Sequence, residues 1–201
     1  MDITTILVFL KTCHYIDKDI TFTINSFNSP VTDCIWQLFS NREIWIVLYA
    51  TVLVFFFRNL GWKRALAVTI YIALTIVCID QSCNFCKEFC QRLRPCWDAE
   101  MMSRGLHVLE DFGNKYGFFS GHAANAAGFA VSSIIGFRTD KTRNYNHYTI
   151  WIIIWAFLVG ISRIFVGKHF FGDVITGFFY GTLMALLLGK VYIALVKKLS
   201  I

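Results

Sequence analysis

Residues 148–166 read YTIWIIIWAFLVGISRIFV and residues 171–196 read FGDVITGFFYGTLMALLLGKVYIALV, parted only by GKHF at 167–170. Each block is long enough to cross a bilayer, which takes about 20 residues at 1.5 Å rise each. A soluble helix needs a polar face for water, and these runs have none. Polar residues gather where the two blocks meet: Ser162, Arg163, Lys168, His169 and Asp173. The chain reads as a membrane protein that keeps its chemistry at the ends of its spans.

Working outward, three further blocks have spanning length: Ile44–Trp62, Ala65–Asn84 and Phe118–Phe137. The expected fold is all-α, a polytopic bundle of five transmembrane helices in one membrane domain over 1–201, with its core at 44–196. Arg58 must snorkel from the first block, and Trp45 and Trp62 suit the two interfacial belts. Residues 1–41 are expected to form an interfacial region. Ile3, Ile6, Leu7 and Leu10 make a short apolar stripe, His14, Asp17, Lys18 and Asp19 interrupt it, and Pro30 breaks any helix that runs on beyond them. An amphipathic helix lying in the membrane surface is the first reading, and a sixth span the second. With no basic n-region and no small-residue cleavage site, the first segment is expected to stay in the mature protein.

A length of 201 residues suits one domain, and 56% apolar residues leave too little polar surface for water. The net charge of +6 does not indicate nucleic acid, because the Lys and Arg residues fall in short links rather than in a stripe. The links Arg58–Arg64 and Arg138–Arg143 share one side with Lys190, Lys197 and Lys198, the cytoplasmic side by the positive-inside rule. The opposite side holds Lys87, Arg92, Arg94, Arg104, Lys115, Arg163 and Lys168.

Seven cysteines include Cys83, Cys86 and Cys90 at helical spacing, where a free Cys behaves as a small hydrophobe. A Cys90–Cys96 disulfide is the alternative. No second Cys or His pair stands at zinc spacing nearby, so no metal site, and no cofactor, is expected. Gly121, Ala124, Gly128 and Ser132 in one span, and Gly177 with Gly181 in another, are read as close-packing surfaces.

Three polar clusters fall on one side of the membrane. The first runs from Lys87 to Pro95, and a continuing helix brings Lys87 and Arg94 onto nearly one face until Pro95 stops it. The second is Phe119-Ser120-Gly121-His122, where a helix start offers free N–H groups to an anion. The third joins Ser162-Arg163 to His169 and Asp173, four apart and within contact range on a helix. Lone Arg, Lys and His residues at an interface usually snorkel or are satisfied locally, but three such clusters on one side exceed that. Lys87, Arg94 and Arg163 match phosphate oxygens. A carboxylate beside a histidine fixes its tautomer and frees the other ring nitrogen to attack. A second histidine can serve the leaving group as an acid.

The pattern Lys-x6-Arg-Pro, Ser-Gly-His, Ser-Arg-x5-His-x3-Asp resembles the signature of the phosphatidic acid phosphatase type 2 superfamily, over about Ile44 to Val196. The resemblance implies His169 as nucleophile, Asp173 as its orienting partner and His122 as general acid and later base. It implies Lys87, Arg94, Ser120, Gly121 and Arg163 as phosphate ligands. It also implies a metal-independent, six-span protein acting at the outer face of a bacterial inner membrane. Phe119 stands where the family usually has Pro, which would pre-set the helix turn.

Asp80, on the same helical face as Lys87, is expected to pin a neighbouring helix, with Asn125 in a similar role. Arg104, His107 and Lys115 read as solvated loop charge. The substrate is expected to be an amphiphile entering from the bilayer: undecaprenyl diphosphate first, lipid A or a glycerophospholipid monoester as alternatives. A lipid-to-lipid phosphotransferase and a non-catalytic lipid-phosphate binder are the readings of another class. No obligate protein partner is indicated.

Overall fold

The computed structural model describes residues 2–198; its regular elements are helices, joined by links that hold one isolated antiparallel bridge between Leu93 and Tyr116. Eight helices run in chain order: α1 (Ile3–Asn25), α2 (Pro30–Ser40), α3 (Ile46–Leu60), α4 (Trp62–Cys90), α5 (Ala99–Ser103), α6 (Gly121–Phe137), α7 (Asn146–Phe165) and α8 (Phe171–Lys198). Four stretches are long and apolar enough to cross a membrane: Glu43–Leu60, α4, α7 and α8. Large apolar side chains cover their outer faces, among them Val47, Phe55, Ile70, Ile153 and Phe179. Facing water, that surface would be a severe aggregation liability; facing lipid tails it costs nothing.

The fifth expected span, α6, is shorter at 17 residues and almost wholly enclosed. It packs on α8, α7 and α4 and forms the axis of the bundle. Small residues allow this. A side chain at Gly181 would collide with the Ala124 carbonyl oxygen, and one at Gly177 would come within 2.6 Å of the Ser120 carbonyl. Gly177 and Gly181 are therefore the contact face of α8 on α6, as their spacing indicates. Asp80 and Asn125 do join α4 to α6, through a 2.7 Å bond from Asn125 Nδ2 to Asp80 Oδ1. At the far end, Arg143 donates to Asn59 Oδ1, so the two short basic links meet on one side.

One expectation needs correction. The helix of the first cluster does not continue to Pro95: α4 stops at Cys90, and Gln91 takes a left-handed conformation at φ 48°. Arg94 reaches its place from an extended segment, not from the face of α4 that carries Lys87. The N-terminal region is helical, as expected, and it also packs into the fold. The stripe residues Ile3, Leu7 and Leu10 lie outside the described side chains, but the second half of α1 is built into the fold. Lys18 is buried and pairs with Asp98 at 2.8 Å and Glu100 at 2.7 Å. Asn25 Nδ2 donates to the carbonyls of His107, Ile164 and Phe165.

All seven cysteines are free thiols, Cys90 exposed and Cys96 buried. Arg104 and His107 are not merely solvated: Arg104 pairs with Asp19 at 2.8 Å and His107 Nε2 lies 2.9 Å from Asp33 Oδ2. They stitch the long polar link to α1 and α2. Lys115 is exposed, as expected of a loop charge.

Candidate active site

The ends of α4, α6, α7 and α8 and the link before α6 converge on one side of the bundle. His169 sits in the tight turn between α7 and α8, where Gly167 at φ +75° lets the chain reverse against the His107 carbonyl. The His169 side chain is 2% exposed, and the residue's backbone N–H donates to the Arg163 carbonyl at 3.1 Å. Asp173, in the first turn of α8, is wholly buried. Its Oδ2 lies 3.5 Å from His169 Nδ1 and accepts the Phe170 N–H at 3.1 Å.

Gly117 marks where three of the expected residues meet. A Cβ there would lie 2.9 Å from Arg94 Cγ and 3.5 Å from both Asp173 Oδ2 and His169 Nδ1. Arg94 is held by Nε to the Tyr116 carbonyl at 3.1 Å, while its N–H bonds the Lys115 carbonyl at 3.0 Å. The strand-like Leu93–Tyr116 pairing thus aims Arg94 at the histidine.

Ser120 caps α6, and its N–H bonds the Asp173 backbone carbonyl at 3.0 Å. The same backbone link carries the start of α6, Gly121 and His122, to the start of α8. A Cβ on Gly121 would lie 3.9 Å from Lys87 Nζ, which brings the first cluster to this helix start. Phe119, in place of the usual proline, is buried against Tyr180, and its carbonyl accepts the Cys83 thiol at 3.3 Å. Packing therefore holds the turn that a ring would have pre-set. His122 is half-buried and within Coulombic range of His169, Arg94 and Arg163.

Arg163 is 3% exposed and donates through Nη1 to Ser40 Oγ and, at 3.0 Å, to Glu110 Oε1. Its Nε is buried with no hydrogen-bond partner, whereas the buried His169 Nδ1 faces Asp173 Oδ2 at 3.5 Å, just beyond hydrogen-bond geometry. An orphaned buried donor costs about 1–3 kcal/mol, and a phosphate oxygen accepting from Arg163 Nε would relieve that cost. Burial, and then the charges of Arg94, Arg163, Lys87 and Lys168, hold the His169 imidazole well below its ordinary range. It is neutral at physiological pH, the form in which a ring nitrogen has a lone pair to offer. Burial pushes the Glu110 carboxyl up, but Arg163 and Ser40 outweigh it and bring it below the usual carboxylate range.

All eight residues picked out from the sequence thus lie at this end of the bundle. Reading the sequence missed five others. Arg92 donates to Asp173 and to Asp17 of α1, Ser40 and Glu110 hold Arg163, and Lys168 Nζ donates to the Asp111 and Phe112 carbonyls. Only Arg92 and Lys168 carried a signal, their place inside the charged clusters.

The family model of the PAP2 superfamily matches residues 64–196, more than half of the chain. The chain belongs to this superfamily. Two curated relatives carry the name lipid A 4'-phosphatase. The protein of Bacteroides thetaiotaomicron is 33% identical over 83% of this chain and 72% of its own, and that of Porphyromonas gingivalis is 30% identical over 89% and 73%. Among solved structures, the PAP2-type phosphatidylglycerolphosphate phosphatase of Bacillus subtilis superposes with a TM-score of 0.70 at 21% identity, covering 90% of this chain and 86% of that one. Aquifex aeolicus LpxE gives 0.62 at 22%, covering 86% and 93%. These last two establish the fold. As a PAP2 protein with four long apolar helices, the chain is a multi-pass membrane enzyme, a lipid phosphatase.

Proposed function

We propose that this enzyme removes a phosphate from a lipid A-type glycolipid, a phosphorylated glucosamine carrying acyl chains, through a phosphohistidine on His169. The two relatives named as lipid A 4'-phosphatases favour this substrate over undecaprenyl diphosphate, the first expectation from the sequence. The observation that carries the mechanism is the buried His169 with Asp173 at Nδ1 and cations around it.

His169 Nε2 attacks phosphorus, and the bond from phosphorus to the sugar oxygen breaks. His122 gives its proton to the departing oxygen. Water then attacks the phosphohistidine, His122 takes the proton back, the N–P bond breaks and inorganic phosphate leaves. Asp173 holds the tautomer and stabilises the cationic ring. Arg94, Arg163, Lys87, the Ser120 hydroxyl and the Gly121 N–H carry the charge of the phosphoryl oxygens. Fixed cations do here what a metal ion does elsewhere.

The setting that fits is a bacterial inner membrane with the site on the periplasmic face. The joined basic links at the opposite end support it, because such links stay cytoplasmic. The experiment is phosphate release by purified protein in detergent from three substrates: lipid A, undecaprenyl diphosphate and a phosphatidylglycerophosphate. The expected result is a kcat/KM for lipid A at least tenfold above the others. Equal or better use of either competitor sinks the substrate assignment.

A further inference from the structure

Asp173 does not stand alone behind His169. Its Oδ1 accepts from Arg92 Nη1 at 2.6 Å, and the other arm of the same guanidinium, Nη2, reaches Asp17 Oδ2 at 2.5 Å. Asp17 belongs to α1, in the part of the chain before residue 64 that the superfamily model leaves unmatched. The guanidinium carbon also lies 4.4 Å from the centre of the Phe170 ring, which closes off one of its faces. Asp17 Oδ1 accepts the Gly172 N–H at 2.8 Å, and Thr21, one turn along α1, accepts the Phe171 N–H at 2.9 Å. Helix α1 thus supplies acceptors for the free N–H groups at the start of α8, the helix that carries Asp173.

We propose that Arg92 and Asp17 are positioning residues for the His169–Asp173 pair, and that α1 is for this reason part of the catalytic apparatus. The inference rests on the roles proposed for His169 and Asp173. A planar fork with two rigidly spaced arms can tie two carboxylates at once, which an ammonium on a flexible stem cannot. Asp17 holds one arm, so Arg92 cannot swing wholly onto Asp173 or out toward a bound phosphate. Asp173 keeps Oδ2 turned to His169 Nδ1 because Oδ1 is occupied. Neither Arg92 nor Asp17 needs to touch substrate for this.

The test is steady-state kinetics of the full chain in detergent with Arg92→Lys, Asp17→Asn, the double variant, Thr21→Val and His169→Ala. Arg92→Lys keeps the charge and loses the fork. Asp17→Asn keeps an acceptor for Gly172 and loses the charge. Each is expected to lower kcat about tenfold with KM within twofold of wild type. The double variant is expected to fall no further than the worse single, since both break one unit. Thr21→Val removes a helix-end acceptor without touching the carboxylate relay and is expected to lower the Tm while keeping kcat.

A rise in KM at constant kcat overturns the inference, because it makes Arg92 a phosphate ligand. A loss of Tm alone, with kcat per folded molecule intact, overturns it by making the bridge structural. So does Thr21→Val matching Asp17→Asn in kcat, which assigns the effect to docking of α1. If His169→Ala stays active, the site assignment itself fails. If His169→Ala is inactive while Arg92→Lys and Asp17→Asn are unaffected, only the positioning inference fails.

Discussion

Asp173 Oδ2 lies 3.5 Å from Nδ1 of His169, with both side chains almost completely shut off from solvent. In that setting a carboxylate and an imidazole act as one unit, since neither has water to compensate for losing the other. Removing either is expected to do similar damage. His169→Ala should lower turnover by about 10³-fold or more, as loss of a nucleophile does in other enzymes. Brief incubation of wild type with ³²P-labelled substrate should leave an acid-labile, base-stable label on the protein, absent from the variant. Near-normal phosphate release by His169→Ala removes the nucleophile assignment.

The depressed proton affinity of His169 has a consequence for stability. Above its ordinary value of 6.5 neither the folded nor the unfolded protein holds the proton, so the group's contribution is fully present. Below 6.5 the unfolded chain takes up a proton that the folded protein excludes, and stability falls as pH drops toward the depressed folded value. The Tm in detergent is expected to fall between pH 7.5 and 5.5, and to fall less in His169→Asn. Parallel curves for the two proteins contradict this.

Among the described residues no group of three or more His, Cys, Asp or Glu side chains is placed to hold a metal ion. The phosphate charge would instead meet Lys87, Arg94 and Arg163. Activity is therefore expected to survive millimolar EDTA with little loss. Abolition by EDTA, restored by added Mg²⁺, counts against this chemistry.

The contact of α8 on α6 leaves no room for a methyl group at Gly181, because the obstacle is the Ala124 backbone rather than a movable side chain. Gly181→Ala is expected to cost about 1–3 kcal/mol, the usual cost of overpacking, or more if α8 is forced away. The Tm should fall and activity with it, since the contact registers Asp173 against Ser120. An unchanged Tm shows that the helices are not held at this spacing.

Orientation can be tested by labelling. In a variant whose native cysteines are replaced, a single cysteine at Lys141 is expected to react with an impermeant maleimide only after the inner membrane is opened. One at Lys115 should react once reagent reaches the periplasm. The reverse pattern inverts the assignment.

Five long apolar blocks were legible because lipid leaves no polar face to blur them, and α3, α4, α6, α7 and α8 begin and end close to the expected residues. That the eight candidate residues would gather at one end of the bundle was legible because polar residues at span ends stand out against apolar sequence. The path of Arg94 was not, since nothing in the residues near Cys90 announces the left-handed Gln91 that turns the chain out of the helix. Asp17 and Lys18 looked like interruptions of an amphipathic stripe. Their partners, Arg92, Asp98 and Glu100, lie far along the chain, and pairings over that separation leave no local trace.

The residues gathered around His169 all belong to helix ends and the links between them, and none reaches the middle of the bundle. A phosphoryl group seated there would never have to leave the boundary between membrane and water. On the chemistry proposed, the freed anion would pass to water while the dephosphorylated lipid stays among its neighbours. The two products would part into different phases, so that neither needs to clear the site through the other's medium.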